Sequence, residues 1–287
     1  MKTRVCVVGS VNMDTVLTVD TLPVPGQTVL ATSAKSIPGG KGANQSVAAA
    51  RAGAQVRFVG AVGDDPAADR LRRHLQDNDV DITGLATAPG PSGTAVIAVD
   101  AGGENMIIVA PGANAALNVV SSSVDAIVTG CQVLLLQLEI PVAAATAAAR
   151  AARAAGALVM VNASPAGGDP AERAALAELA DVVVVNETES DAWVWPVEHR
   201  VITRGARGAR YLGADGSYDV PAPAVPVVDT SGAGDVFAGV LAASWTAGRE
   251  HALRRACAAG ALATRVPGAG DCAPQADAIA EAVLFGR

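Results

Sequence analysis

Along this chain, short runs of aliphatic and β-branched residues alternate with longer stretches rich in Ala and Leu. The apolar runs are residues 5–9, 56–62, 133–137, 158–162, 182–186 and 200–203. Each is short and largely continuous, the pattern of strands buried on both faces of a parallel sheet. Between them, residues 43–52, 67–77, 142–155 and 170–180 carry helical patterning, and a further helical run covers 236–247. This alternation predicts a doubly wound α/β core with right-handed crossovers.

Two stretches break the pattern. Residues 15–37 read as extended segments divided by a turn at Pro23, Pro25 and Gly26. Residues 94–99 and 105–109 flank Ala101-Gly102-Gly103-Glu104, a hairpin signal. Neither has helical periodicity. Residues 12–37 and 93–110 therefore predict a small β-sheet lid, and residues 1–11, 38–92 and 111–287 the core beneath it. Such a flap is placed to close over a site at the carboxyl ends of the strands.

Composition narrows the function. Hydrophobic residues make up 51% and charged residues 17% of the 287 residues, which excludes an intrinsically disordered chain. A net charge of -7 and only 3% aromatics argue against a nucleic-acid partner. The richest apolar stretch, 133–161, is broken by Glu139, Pro141, Arg150 and Arg153 and does not read as a membrane span. The apolar run at the N-terminus ends by Asp14 and lacks the long core of a secretion signal. Cys6, Cys131, Cys257 and Cys272 lie far apart with no CxxC, so the expectation is a reduced, cytoplasmic protein without a zinc site.

Four segments carry candidate chemistry. In Asp229-Thr230-Ser231-Gly232-Ala233-Gly234-Asp235, small residues precede a helix. Backbone N–H groups there can meet an anion, and the helix dipole favours negative charge. Asp235 would repel that anion unless it serves as a general base beside a transferred phosphoryl group. An Asp-rich helix cap explains this segment about equally well. Gly39-Gly40-Lys41-Gly42-Ala43-Asn44 again precedes a helix. Its glycines permit close approach to a ligand, and Lys41 and Asn44 offer donors for hydroxyls; it is not a Walker A loop. Asn12 and Asp14 follow the first strand, where they can grip a polyol or merely form an Asx turn. Asn186 and Glu189 follow the strand at 182–185, three apart; they suit water-mediated Mg²⁺ or a capping box. Glu139, after the strand at 133–137, falls at the same edge.

Together these segments resemble the ribokinase branch of the ribokinase-type (PfkB) carbohydrate kinases, in order and over nearly the whole chain. Further matches are Gly9-Ser10-Val11-Asn12-Met13-Asp14, Pro25-Gly26-Gln27-Thr28, Gly63-Asp64-Asp65 and Pro111-Gly112-Ala113-Asn114-Ala115-Ala116-Leu117. The resemblance implies a three-layer α/β/α sandwich with a mostly parallel sheet and a β lid. It implies ATP-dependent phosphorylation of a sugar's primary hydroxyl, O5 of D-ribose for ribokinases. It assigns Asp235 as base and Gly232, Ala233 and Gly234 as anion hole. Asn12, Asp14, Gly40, Lys41, Asn44 and Glu139 become sugar-binding positions. Asn186, Glu189, Thr203, Gly205, Gly234 and Cys257 fall on the nucleotide side, with Glu189 holding Mg²⁺ through water. Asp229, Ser231, Ala263, Gly268 and Cys272 fall on a loop for an activating K⁺. A homodimer through the lid is expected.

The sequence also departs from that family. Only thirteen residues separate Glu189 from Thr203, where members usually carry another helix, and Trp193-Val194-Trp195-Pro196 stands there instead. Cys257 replaces a usual Asn and Cys272 a usual Ser. Kinases of another sugar or of a nucleoside, and a weakly catalytic sugar or nucleotide sensor, remain alternatives. The few lid aromatics disfavour stacking a nucleobase. His74, His199 and His251 read as solvated surface residues, Trp193 and Trp195 as packing, and Arg204 and Arg207 as either phosphate contacts or surface.

Overall fold

The computed structural model describes residues 2–119 and 122–285. The elements in chain order are β1 (Arg4–Val8), β2 (Asn12–Thr18), β3 (Ser33–Gly39), α1 (Lys41–Arg51), β4 (Gln55–Val62), α2 (Pro66–Asp77) and β5 (Val80–Thr87). There follow β6 (Thr94–Val99), β7 (Asn105–Ala110), α3 (Ser122–Thr129), β8 (Val133–Leu136), α4 (Val142–Ala154), β9 (Leu158–Asn162) and α5 (Pro170–Ala177). The chain ends with β10 (Val182–Asn186), α6 (Glu187–Ser190), β11 (His199–Thr203), β12 (Ala209–Gly213), β13 (Gly216–Val220), α7 (Ala233–Ser244), α8 (Arg249–Ala263) and α9 (Ala276–Phe285).

Nine strands form one sheet in the order β13-β12-β11-β10-β9-β8-β1-β4-β5. It is parallel from β11 to β5, and β12 and β13 add an antiparallel edge. Successive side chains alternate between two apolar cores. Val5, Val7, Leu135 and Val184 face α1, α2, α7, α8 and α9. Cys6, Val8, Leu134 and Val183 face α3, α4 and α5. Three layers result, and the expected strands and helices are present within a few residues of their expected ends.

The second sheet runs β3-β2-β6-β7. β2 continues β1 after only three residues, so the chain passes directly from core sheet to flap. The crossing is held by Asn114, whose Oδ1 accepts the Val11 N–H at 3.0 Å and whose Nδ2 donates to Asn12 Oδ1 at 2.8 Å. A Cβ at Gly93 would strike both carboxamides, so this corner requires glycine.

The sequence pattern missed β5 and the β12–β13 hairpin, whose residues alternate polar and apolar at a half-exposed sheet edge. Two histidines also correct the surface reading. His199 Nδ1 lies 2.8 Å from the Tyr211 hydroxyl, and its ring is 5.5 Å from Trp245. His74 is half-buried, and desolvation lowers its pKa. Only His251 is exposed. Arg204 turns inward to Asp219 at 3.1 Å, while the exposed Arg207 pairs with Glu187.

Candidate active site

The glycine-rich loop before α1 serves the chain's own packing. A Cβ at Gly42 would stand 2.7 Å from Gly9 and Ser10 backbone atoms, and one at Gly39 would overlap the Asp14 carboxylate. The first N–H groups of α1 are already engaged. Lys41 N–H donates to Glu139 Oε2 at 3.1 Å, Gly42 N–H to Ser10 Oγ at 3.3 Å and Ala43 N–H to the Ser10 carbonyl at 2.9 Å. Ser10 Oγ also donates to Glu139 Oε2 at 2.5 Å. These glycines bring the chain close to the Ser10 backbone and the Asp14 carboxylate. Gly40, at φ +89°, packs on Val11 and Asn12.

Five acidic and basic groups, Asp14, Lys41, Glu139, Glu189 and Asp235, influence one another here. Asp235 lies in the first turn of α7, and its Oδ2 accepts Asn44 Nδ2 at 3.1 Å while Oδ1 accepts Gln45 Nε2 at 2.9 Å. Asp14 is buried and accepts the Ala95 N–H at 2.9 Å. Burial pushes its pKa up to about 6; the Ala95 bond opposes this, and the Glu139 and Asp235 charges add to it. Burial pulls the Lys41 ammonium down, but Asp235, Glu139 and Glu189 together raise its pKa. Lys41 thus lies within the electrostatic influence of Asp235, Glu139 and Glu189.

An open cleft of about 460 Å³ begins at Lys41 and Asp235 and runs along the ends of β9, β10 and β11. Asn186, Glu189, Thr203, Gly232 and Gly234 line it, as do Asn162 and Ser164, which the sequence reading had not picked out. Asn186 and Glu189 form a true capping box, with Glu189 N–H on Asn186 Oδ1 at 2.7 Å and Asn186 N–H on Glu189 Oε2 at 3.1 Å. Both still face the cleft, so the cap and the site are one feature. At α7 the Ala233 N–H turns back to the Thr230 carbonyl at 3.3 Å. That leaves the Gly234 and Asp235 amides as first-turn donors toward the cleft.

Some expected positions lie elsewhere. Cys257 faces the core from α8, its thiol directed at the Val220 carbonyl at 3.6 Å and its pKa pushed by burial up to about 12. It does not line the cleft. Gly205 opens a short turn beyond Thr203, also off the cleft. Asp229 joins two loops, accepting Ser231 N–H and Gly268 N–H, both at 2.8 Å. Ala263 accepts the Val266 N–H. The Cys272 thiol donates to the Ala269 carbonyl at 3.4 Å, and burial raises its pKa to about 11. Carbonyl and carboxylate oxygens suit a hard cation, whereas a protonated thiol does not.

The profile of the pfkB family carbohydrate kinases matches residues 2–196 and 195–276. The chain belongs to the PfkB carbohydrate kinase family. In this kinase the family match is interrupted at Trp195 and Pro196, within the shortened segment. The ribokinase of Bacillus subtilis is 36% identical over 280 residues, covering 90% of this chain and 92% of the relative. A deoxyribokinase of Salmonella typhi is 32% identical over 268 residues, covering 83% of this chain and 84% of its own. Arabidopsis thaliana ribokinase complexed with ribose and ATP superposes with a TM-score of 0.90 at 29% identity, covering 99% of this chain and 100% of that one.

The shortened segment of the kinase is filled by packing. Trp193 is buried, with Trp195 edge-on at 5.4 Å, and the buried Arg173 guanidinium lies 5.8 and 5.7 Å from the two rings. Arg200 donates to the Trp193 and Trp195 carbonyls. Desolvation lowers the Arg173 pKa, and the neighbouring Glu189 opposes this. Gln45, Gln137, Asn114 and Ser10 also went unrecognised as site residues, because a buried amide or hydroxyl acquires a role only from its partners.

Proposed function

We propose that this kinase transfers the γ-phosphoryl group of ATP to the primary hydroxyl of D-ribose, giving ribose 5-phosphate. The observation that carries the reading is the Asp235 carboxylate, held by two amides at the edge of a cleft and directly beside the free N–H groups opening α7. Asp235 takes the hydroxyl proton as the oxygen attacks phosphorus. The α7 N-terminus and Lys41 receive the negative charge that develops on the transferred group. Asn12, Asp14, Asn44 and Glu139 hold the sugar. Asn186, Glu189 and Thr203 face the nucleotide phosphates, with Mg²⁺ carried through water by Glu189. Mg²⁺, when bound, supplies charge neutralisation. The oxygens of Asp229 and Ser231 would hold K⁺, which adds positive charge near the anion-binding turn.

The lid of residues 12–37 and 93–110 closes over the sugar and excludes water. Its edge strand β7 exposes Met106, Ile107, Ile108 and Val109, and a second copy of the chain covers this face. Light scattering is expected to give the mass of a dimer.

ADP release with a panel of pentoses and hexoses, with and without K⁺, tests the assignment. Ribose is expected to give the highest kcat/KM. A second reading rests on the deoxyribokinase relative. If 2-deoxyribose outruns ribose, the acceptor is the deoxy sugar and the ribose assignment fails.

Asp14 adds a pH dependence. Its pKa, raised to about 6, means that the carboxylate is lost as pH falls through that value. The KM for sugar is expected to rise several-fold from pH 7.5 to pH 5.5. In the Asp14→Asn variant it should be high throughout and flat. For stability the sign is opposite, because a raised carboxyl pKa favours folding below about pH 4 and loses that contribution as pH rises through 6. Asp14→Asn should therefore melt higher than wild type at pH 7, with the gap closing near pH 4.

A further inference from the structure

The strongest unassigned feature is a chain of buried amides ending on the base. Gln45 and Gln137 are both fully buried. Gln137 Nε2 donates to Gln45 Oε1 at 2.7 Å, and Gln45 Nε2 donates to Asp235 Oδ1 at 2.9 Å. The chain therefore has a direction. Because its oxygen accepts from Gln137, the Gln45 amide presents its NH₂ to the carboxylate, and inverting it would require Gln137, whose own Oε1 is buried without a partner, to turn as well. A Cβ at Gly9 would strike Gln137 Oε1, so the exit of β1 is kept bare where this amide sits.

Asn44 differs. It donates to Asp235 Oδ2, but its own Oδ1 is buried without a partner. Turning this amide over would break no hydrogen bond at its oxygen.

We propose that Gln45 and Gln137 are positioning residues that reserve Asp235 Oδ2 as the proton acceptor, and that Asn44 is the amide that adjusts. The inference rests on the kinase reading above. During transfer the sugar O–H bond breaks and its proton passes to Oδ2. The oxygen's electron pair forms the new O–P bond, and the bond from phosphorus to the bridging oxygen of ATP breaks, releasing ADP. A proton on Oδ2 would meet the Asn44 NH₂, and turning that amide presents its free Oδ1 as acceptor instead. Oδ1 is less suited to this part, since freeing it of a donor requires two buried amides, Gln45 and Gln137, to turn, whereas Oδ2 requires one. Each amide polarises the next, so the carboxylate is held both in direction and in charge.

The test inverts the polarity without changing volume. In Gln137→Glu, assayed at a pH high enough to ionise a carboxyl that burial makes harder to ionise, the side chain at position 137 accepts rather than donates, so the Gln45 amide turns its NH₂ away from Asp235 and its oxygen toward it. The expected result is a kcat about 10- to 100-fold lower, the scale of a misaimed reacting group. KM for sugar and nucleotide should stay within about twofold. Gln137→Met, which carries no charge, guards against a folding defect and should lower kcat less. Gln45→Met should lower kcat strongly, and Gln45→Met/Gln137→Met should cost no more than Gln45→Met alone, because both act through one bond. Melting curves accompany each variant. Folded variants whose kcat stays within twofold of wild type, or a double variant whose losses multiply, overturn the proposal. The comparison is made with whichever sugar wild type turns over, so failure of the ribose assignment leaves it readable. Wild type inert toward every sugar overturns the kinase reading and this proposal together.

Discussion

Asp235→Asn is expected to lower kcat by about 100- to 10,000-fold, the usual contribution of a positioned base. KM for the sugar should change little. The replacement is isosteric and removes the ability to take a proton together with the negative charge. The site can absorb the new amide, because Asn44 Oδ1 has no partner and can turn to accept from it. The fold should therefore survive, and calorimetric binding of ribose to the variant separates lost chemistry from lost binding. Turnover within tenfold of wild type would mean that another group takes the proton. Binding without turnover in wild type itself would favour the sensor alternative.

The second large effect is expected from Gly234→Ala, and it separates catalysis from stability. Among the glycines of the α7 turn, the two behave in opposite ways. Gly232 has φ +75°, and a Cβ there would stand 2.7 Å from the Ala269 Cα, so a side chain at 232 is strained and crowded. Gly234 has no such φ, and a Cβ there meets nothing within 4 Å. Alanine at 234 should therefore raise stability by about 0.5–1 kcal/mol through helix propensity. Its methyl group would stand at the mouth of the cleft that Gly234 lines, beside the N–H groups awaiting the phosphoryl oxygens. A kcat about 10- to 100-fold lower with an unchanged or higher melting temperature is expected. Steady-state kinetics beside a thermal melt reads both. Undiminished kcat would remove this turn from the anion-binding role.

Most of the framework was legible in the residues. Continuous runs such as Val133–Leu136 can be buried only by layers on both sides, so a parallel sheet with helices above and below follows from hydrophobicity alone. The lid was legible in the loss of helical period at two separate places. The motif around Asp235 was legible because small residues before a helix leave donors exposed while a lone carboxylate beside them stands out. Less was readable at Asn186 and Glu189, whose spacing fits a structural cap and a cleft-lining pair alike, and the fold makes them both.

What local pattern could not convey was partnership across the chain. Gln45 and Asp235 are 190 positions apart, and Ser10 and Glu139 are 129 apart. Their side chains meet because crossover connections return β1, β8 and α7 to one edge, and no local periodicity encodes that meeting. The close approach of Gly39 and Gly42 to the Asp14 carboxylate and the Ser10 backbone is also a product of folding that residue type alone did not convey. Cys257 and the inward-facing histidines likewise took their surroundings from packing. Hydrophobic order along the chain thus settled the layers and the glycine and acidic motifs carried the likeness to sugar kinases, while the aim of the Asp235 carboxylate and the raised pKa of Asp14 arose only when distant polar groups were buried together.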